Sequence, residues 1–332
     1  MMNFSAILFN IVEQCNLRCR HCGYFDSPRS GEMAEADLVQ WAAQAVQYGI
    51  PQVIFTGGEP FTRPALLRAG VSAVEQQGGS SGVFTNAHWA ASVTEGIRVL
   101  ENLPGVTHLF LSTDVYHLES VPAERVRNAI GAARAVGIPH VVLCISYTTD
   151  TDRDAVHGLF AAEQDSVKFH YSRVIPAQGI QLPVEDLYVG SKDLAPSNYS
   201  DHCFLHTPLV NPTGVVSICH VGKIEAHGDI RSSPYYLGDL HVETLRDVFG
   251  RAESNWLYQY LRVSGPRAVA IEALESAQAL CWEEQRFTSD CDMCYRMLPL
   301  GSVIERLNAI ACSEEARSQT FFRRIALLGD SL

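Results

Sequence analysis

Apolar runs alternate with amphipathic segments through the first half of the chain. Short apolar runs at residues 6–11, 52–56, 82–85, 108–112, 140–145 and 167–174 have the length and composition of buried strands. The intervening segments, at residues 34–48, 65–77, 92–103, 123–136 and 152–162, are amphipathic and predict helices. This alternation is typical of βα units around a parallel sheet, and six such strands predict an α/β fold, a partial (β/α)6 TIM-like barrel.

The pattern changes after residue 179. Residues 181–200 are polar and irregular, which favours a linker, and a second unit follows from residue 201 to residue 332. This unit has a long helical stretch near 242–279 and a helix-like segment at 314–328. We therefore predict a barrel domain over 1–180, a linker over 181–200 and a second domain over 201–332.

Charge and composition exclude several partners and compartments. The formal net charge of −12 argues against nucleic acid or an anionic membrane as the main partner. No apolar run approaches the length of a membrane span, and the N-terminus does not resemble a secretion signal, so we expect a cytoplasmic protein. Its ten cysteines should then be reduced, and grouped reduced cysteines most often bind metal.

Three of these cysteines follow the first predicted strand. Cys15, Cys19 and Cys22, here the first cysteine set, have the spacing C-x3-C-x2-C in "EQCNLRCRHCGYF". A zinc knuckle, a disulfide cluster or chance grouping could each give three close cysteines, but zinc usually takes four ligands. Three thiolates on a cubane iron–sulfur cluster would leave one iron open for a small molecule.

Polar and glycine residues stand at the ends of the later strands. In "VIFTGGEP" a strand ends at Thr56, after which Gly57 and Gly58 allow a close backbone approach and Glu59 can accept from an ammonium group. Further polar side chains at strand ends or next to them are those of Asn86, Ser112, Asp114, Ser146 and Arg173. Because parallel strands end at one edge of a sheet, these groups should meet near the cysteines.

The three-cysteine loop followed by Gly-Gly-Glu-Pro resembles the radical SAM superfamily. The resemblance implies a 4Fe–4S cluster on the first cysteine set, with S-adenosylmethionine on its open iron and a 5′-deoxyadenosyl radical as the product of reduction. It also implies that His21 contacts the adenine and that Gly57, Gly58 and Glu59 hold the methionine amine. The remaining expected S-adenosylmethionine contacts, to the ribose and the carboxylate, are those of Asn86, Ser112, Ser146 and Arg173.

Four later cysteines form the second cysteine set. Cys203 and Cys219 stand in a C-x10-G-x4-C pattern with Gly214, and Cys291 and Cys294 stand in "CDMC". The arrangement looks like the twitch form of the SPASM domain, which implies one auxiliary 4Fe–4S cluster with four thiolate ligands. A structural zinc site with four cysteines remains the alternative.

The order of these motifs is similar to that of the peptidyl epimerases of the epipeptide pathway. In those enzymes a second cysteine follows the G-x4-C cysteine and returns a hydrogen atom to the substrate radical. Here that position is His220, and imidazole is a poor hydrogen-atom donor. Cys281 could supply the thiol instead, so our candidate catalytic residues are Cys281, His220 and Asp114.

The resemblance implies an oxidoreductase or epimerase that modifies a ribosomally synthesised peptide by epimerisation, crosslinking or oxidation. It would need an external reductant of the flavodoxin or ferredoxin type, and a separate leader-binding protein if a leader has to be recognised. One alternative is dehydrogenation or epimerisation of an aminosugar-like metabolite. Another, from a different class, is a binding protein without catalysis, stabilised by zinc or a cluster.

Overall fold

The computed structural model describes residues 4–23, 31–176, 180–183, 203, 207–220, 230–273 and 287–330. Nine strands in this part of the chain form one sheet in the order β6-β5-β4-β3-β2-β1-β7-β8-β9. Their bounds are β1 Ile7–Val12, β2 Gln52–Gly57, β3 Ser80–Thr85, β4 Val106–Ser112, β5 His140–Tyr147, β6 Lys168–Arg173, β7 Leu209–Val210, β8 Val215–Ser217 and β9 Tyr236–Asp239. Strands β1 to β6 are parallel, and β7 continues this direction beside β1.

Eleven α-helices are present in the described residues. They are α1 Glu35–Tyr48, α2 Pro64–Gln76, α3 Val93–Glu101, α4 Val115–Leu118, α5 Ala123–Ala135, α6 Asp150–Leu159, α7 Leu245–Ser254, α8 Trp256–Ala273, α9 Asp290–Met297, α10 Gly301–Ala311 and α11 Glu314–Leu328. Short 3-10 turns occupy Pro60–Thr62, Ala161–Glu163 and Ile230–Ser232. No helix in the described part of the chain is long and apolar enough to cross a bilayer.

The two faces of the parallel sheet differ in burial because strand side chains alternate. In β5, Val141, Leu143 and Ile145 are buried in the main hydrophobic core. Cys144 and Ser146, on the opposite face of the same strand, are only partly buried. The sheet therefore has one face sealed by helices and one more open face, on which ligand-binding side chains can stand.

The last three strands extend the sheet on the far side of β1. A tight turn joins β7 to β8, where the side chain of Asn211 accepts hydrogen bonds from the backbone N–H groups of Thr213 and Val215. Gly214 closes this turn with φ of 77°, and a Cβ there would lie 2.8 Å from the Trp41 ring. The glycine of the C-x10-G-x4-C pattern is thus required by the turn and by packing on α1.

Helix α8 bends in its second half. Gly265 has φ of 78° and ψ of 156°, which no helix accommodates, and Pro266 follows it.

The preceding helix α7 begins at a capping box, because Thr244 and Asp247 bind each other's backbone N–H. The second unit therefore consists of a small antiparallel extension of the sheet and a group of helices packed on α8.

The predicted α/β fold with a parallel six-stranded sheet is confirmed, and all six strands lie where the apolar runs placed them. The single helical stretch predicted near 242–279 is wrong in one respect: it divides into α7 and α8, with residues 274–279 outside the described part. Helices α4, α9 and α10 were not predicted. Residues 184–200 of the predicted linker also lie outside the described residues, so the domain boundaries remain a prediction.

Candidate active site

The first cysteine set lies on the loop after β1 and lines a cavity of about 370 Å³ at the carboxyl ends of the parallel strands. We call this the cysteine cavity. Cys19 is buried, whereas Cys15 and Cys22 are partly accessible. The cavity is also lined by other predicted residues, from this loop and from the later strand ends, namely His21, Gly57, Gly58, Glu59, Asn86, Ser112, Ser146 and His220. The strand-end residues are thus brought together as the parallel topology predicts.

Gly57 and Gly58 hold the end of β2 against the cysteine loop. The Gly58 N–H donates to the Val12 carbonyl at 2.6 Å, and the Glu59 N–H donates to the Gln14 carbonyl at 2.9 Å. A Cβ on Gly58 would lie 2.3 Å from the Gln14 oxygen, closer than such atoms approach. The two glycines are therefore needed for contact between two loops of this chain, in addition to any approach to a ligand.

Glu59 is a buried residue of the cavity wall, and its carboxylate is held by three hydrogen bonds. One carboxylate oxygen accepts from the Phe61 N–H at 3.1 Å and from the Thr85 hydroxyl at 2.9 Å, while the other accepts from the Asn86 N–H at 2.8 Å. Burial raises the pKa of Glu59 to about 7, against the lowering effect of these hydrogen bonds. Its carboxylate thus ties β2 to the end of β3.

Asn86 connects the end of β3 to the cysteine loop. Its side-chain amide donates to the side-chain oxygen of Asn16 at 2.9 Å, and its nitrogen lies 3.9 Å from the Cys15 sulfur. Ser112 and Ser146, on neighbouring strands, provide hydroxyl groups on the cavity wall. Hydrogen-bonding groups suited to a polar ligand therefore surround the cysteines on the sheet side.

A second group of polar side chains stands behind Cys19. Asp114 caps α4 and accepts from the His117 ring at 2.8 Å, and its carboxylate lies 3.7 Å from the His21 ring. His21 stacks on Tyr116 with the ring centroids 4.7 Å apart. In the part of the chain that the structure describes, His21, Asp114 and His117 are the group whose ligand atoms all gather within 4.8 Å of one another.

The charges in this group follow from burial and pairing. Burial lowers the pKa of His21 to about 4, although Asp114 opposes the shift. Burial acts in the same direction on His117, but the Asp114 carboxylate and hydrogen bonds to Asp114 and Cys19 raise its pKa well above the usual range. Sequence reasoning did not assign roles to His117 and Tyr116, although the D-x-Y-H spacing places both within one turn of the Asp114 cap.

Arg173 and Asp114 are two predicted site residues that do not line the cysteine cavity. Arg173 stands over the ring of Tyr147, 5.6 Å from its centroid, and is absent from the residues that line the cysteine cavity. Its neighbour Ser172 pairs with Ser146, so Arg173 lies on the opposite face of β6. Cys281 lies outside the described residues. Asp114 is buried, and it contacts the cavity only indirectly, by its hydrogen bond to His117, which is a lining residue.

The second cysteine set comes together from three parts of the chain. Burial raises the pKa of Cys203 well above the usual range, and the other three thiols, Cys294, Cys291 and Cys219, add to the shift by proximity. The Tyr235 hydroxyl donates to the Cys294 carbonyl at 3.0 Å and lies 3.8 Å from its sulfur.

The composition of this set limits what it could bind. Four thiols that are close enough to affect one another's pKa form a complete set of sulfur ligands. Such a set fits either a structural zinc ion or an iron–sulfur cluster whose irons are all bound by the protein.

His220 connects the two cysteine sets. It directly follows Cys219, and its exposed side chain lines the cysteine cavity together with Cys15, Cys19 and Cys22. Cys219 itself is buried at the end of the sheet extension. The sheet extension that carries Cys219 therefore also contributes a residue to the wall of the cysteine cavity.

Comparison with known proteins agrees with this arrangement. Residues 9–159 match the Radical SAM superfamily. GTP 3′,8-cyclase of Listeria welshimeri is 28% identical over 145 residues, which are 40% of this chain and 42% of that protein. Molybdenum cofactor biosynthesis protein 1 of Homo sapiens is 30% identical over 125 residues, which are 36% of this chain and 18% of that protein. The chain thus spans less than half the length of these relatives.

Two solved structures share the fold over most of the chain. SuiB of Streptococcus suis bound to S-adenosylmethionine superposes with a TM-score of 0.58 at 14% identity, covering 90% of this chain and 72% of that one. Native anSMEcpe with bound AdoMet and a Kp18Cys peptide gives a TM-score of 0.55 at 14% identity, covering 92% and 98%. At such low identity the likeness concerns the fold alone.

Proposed function

With residues 9–159 forming a domain of the radical SAM superfamily, we propose that the protein is a radical SAM enzyme that oxidises a ribosomally synthesised peptide. The reaction removes two hydrogen atoms and leaves a crosslink or a dehydrogenated residue. The observation that carries this proposal is the position of His220, which directly follows a cysteine of the second set and lines the cysteine cavity.

The residues of the cysteine cavity fit the cofactors that the superfamily implies. Three thiols, of Cys15, Cys19 and Cys22, reach one cavity beside the glycines of β2. When bound, a cluster with S-adenosylmethionine supplies a 5′-deoxyadenosyl radical, and a second cluster supplies an acceptor for one electron. Asn86, Ser112 and Ser146 offer the polar contacts that hold and orient the nucleoside, and Glu59 keeps their strand ends in register.

His220 favours oxidation over epimerisation. An epimerase must return a hydrogen atom to the substrate carbon, which a thiol can do because its S–H bond is weak. The imidazole of His220 has only strong N–H and C–H bonds, so it leaves a substrate radical unquenched. The thiol of Cys144, on the same more open face of β5, is partly buried and is not among the residues that line the cysteine cavity.

The second cysteine set favours the same outcome. Four neighbouring thiols suit a fully ligated cluster at a site that is closed to substrate. Its position one residue from His220 brings it close to the cavity. An electron leaving the substrate radical would then have a short path, and a proton leaving with it could be taken up by His220.

Support for a peptide substrate comes from the structures that share the fold. SuiB has been crystallised with the precursor peptide SuiA, and anSMEcpe with a Kp18Cys peptide. The curated relatives are GTP 3′,8-cyclases, whose similarity is limited to 36–40% of this chain. An aminosugar-like metabolite stays as an alternative substrate.

Anaerobic turnover tests the proposal. Reconstituted protein is incubated with dithionite, S-adenosylmethionine and the peptide encoded by a short reading frame beside its gene. We expect 5′-deoxyadenosine and a peptide product two mass units lighter. A product of unchanged mass that has gained one deuteron from deuterated water would contradict oxidation and indicate an epimerase. Conversion of GTP in a parallel reaction would contradict the peptide substrate.

A further inference from the structure

Helix α8 contains a carbonyl group whose regular α-helical donor is missing. In an α-helix the carbonyl of Arg262 would accept from the N–H of residue 266, but that residue is Pro266, which has none. Gly265 adopts φ of 78°, so the chain turns away at this point. The Arg262 carbonyl instead accepts the backbone N–H of Cys203 at 3.1 Å.

The side chain of Arg262 is held by hydrogen bonds to two other buried residues, Gln259 and Asp330. Its guanidinium group is completely buried and donates to both carboxylate oxygens of Asp330, at 3.0 and 3.3 Å, and to the Gln259 side chain at 2.8 Å. Arg324 also donates to Asp330, at 2.8 Å. Asp330 thus connects α8 to the segment that follows α11, and a buried bidentate pair of this kind has one well-defined geometry.

Cys203 belongs to the second cysteine set, because its thiol lies close enough to Cys294, Cys291 and Cys219 for each to affect its pKa. The other three thiols stand on or next to regular elements: Cys219 follows β8, while Cys291 and Cys294 are in α9. Cys203 stands on none of the described elements. Its backbone N–H is held by the Arg262 carbonyl.

We propose that Pro266 and the Arg262–Asp330 ion pair are positioning residues for Cys203. The proline removes the regular helical donor to the Arg262 carbonyl, the ion pair holds the residue in place, and the carbonyl fixes the backbone of a metal-binding cysteine. The inference rests on the proposed function in so far as the second cysteine set holds a metal centre.

Metal analysis of Pro266→Ala tests this inference. Alanine supplies an N–H and removes the ring that prevents a regular helical turn, so the helix can straighten through Gly265. The new N–H then competes for the Arg262 carbonyl, and the Cys203 amide loses its acceptor. We expect the reconstituted variant to fall from about eight irons to about four, and to lose the EPR signal that does not respond to S-adenosylmethionine. The signal that does respond should be unchanged. Pro64→Ala is the matched control, because Pro64 is at the start of α2, where the N–H has no helical partner.

A Pro266→Ala protein with the metal content and both EPR signals of the wild type would overturn the inference. If this variant does not fold, hydrogen–deuterium exchange on the wild-type holoenzyme decides the matter. The Cys203 amide should be protected, and exchange at the rate of a free amide would refute the contact.

The inference and the proposed function can fail separately. If the wild-type protein holds zinc at the second cysteine set, the proposed oxidation loses its electron acceptor. Pro266→Ala should then lower the zinc content instead, and equal zinc in both proteins would overturn the positioning role.

Discussion

Replacing Gly58 by alanine should separate the two loops that form the cysteine cavity. The new Cβ would lie 2.3 Å from the Gln14 oxygen and 2.4 Å from the Glu13 oxygen, and both are backbone atoms that cannot rotate away. Contacts below 3.0 Å are essentially absent from real structures, so the loops must move apart. The shift needed is roughly 0.7 Å, which would lengthen the Glu59 N···Gln14 O distance to roughly 3.6 Å, beyond a hydrogen bond.

This displacement should affect stability and function together. Two hydrogen bonds are affected: the one from the Glu59 N–H to Gln14 is lost, and the one from the Gly58 N–H to Val12 is strained. Together these changes should lower the free energy of unfolding by about 2–4 kcal/mol. Gln14 directly precedes Cys15, so a cysteine that we propose as a cluster ligand moves with the loop. Because a misplacement of about 1 Å can cost roughly a hundredfold in rate, 5′-deoxyadenosine formation should fall by about that factor.

Chemical denaturation of the metal-free protein and anaerobic assay of the reconstituted protein measure the two effects. The control is Gly158→Ala in α6, where a Cβ meets nothing within 4 Å. It should leave both properties unchanged or raise stability by up to about 1 kcal/mol. If Gly58→Ala matched the wild type in stability and in S-adenosylmethionine cleavage, the close approach of the two loops would be refuted.

Three further substitutions test separate parts of the site. Cys22→Ala should abolish 5′-deoxyadenosine formation and leave about four irons, and retained cleavage would contradict the first cluster site. Tyr235→Phe removes the hydroxyl beside the Cys294 sulfur, so the midpoint potential of the second cluster should become more negative; an unchanged potential on redox titration would exclude this contact. His220→Cys introduces a weak S–H bond at the cavity. Its product, measured by mass spectrometry in deuterated water, should keep the substrate mass and gain one deuteron, and an unchanged two-unit loss would contradict the role given to this position.

The parallel sheet and the first cysteine set could be predicted because both depend on local sequence. Strand ends in a parallel sheet meet at one edge, so a loop after β1 and polar residues after later strands must come together. Arg173, which we expected among these residues, does not line the cavity, and the reason is equally local. Side chains alternate along β6, and Ser172, one position earlier, already stands on the face of Ser146.

Contacts between distant segments could not be predicted from the sequence. The buried carboxylate of Glu59 binds Thr85 and Asn86, which belong to another strand. The contact between Cys203 and Arg262 joins residues 59 positions apart, and a proline changes which group the carbonyl accepts from. Neither apolar periodicity nor motif spacing contains such information, because both describe neighbours along one element.

We propose that one chain holds an open iron–sulfur site with three cysteines and a closed one with four. Iron and zinc can be counted in the anaerobically reconstituted wild-type protein. We expect about eight irons per chain and no bound zinc. A protein with about four irons and one zinc ion would refute the second iron–sulfur site.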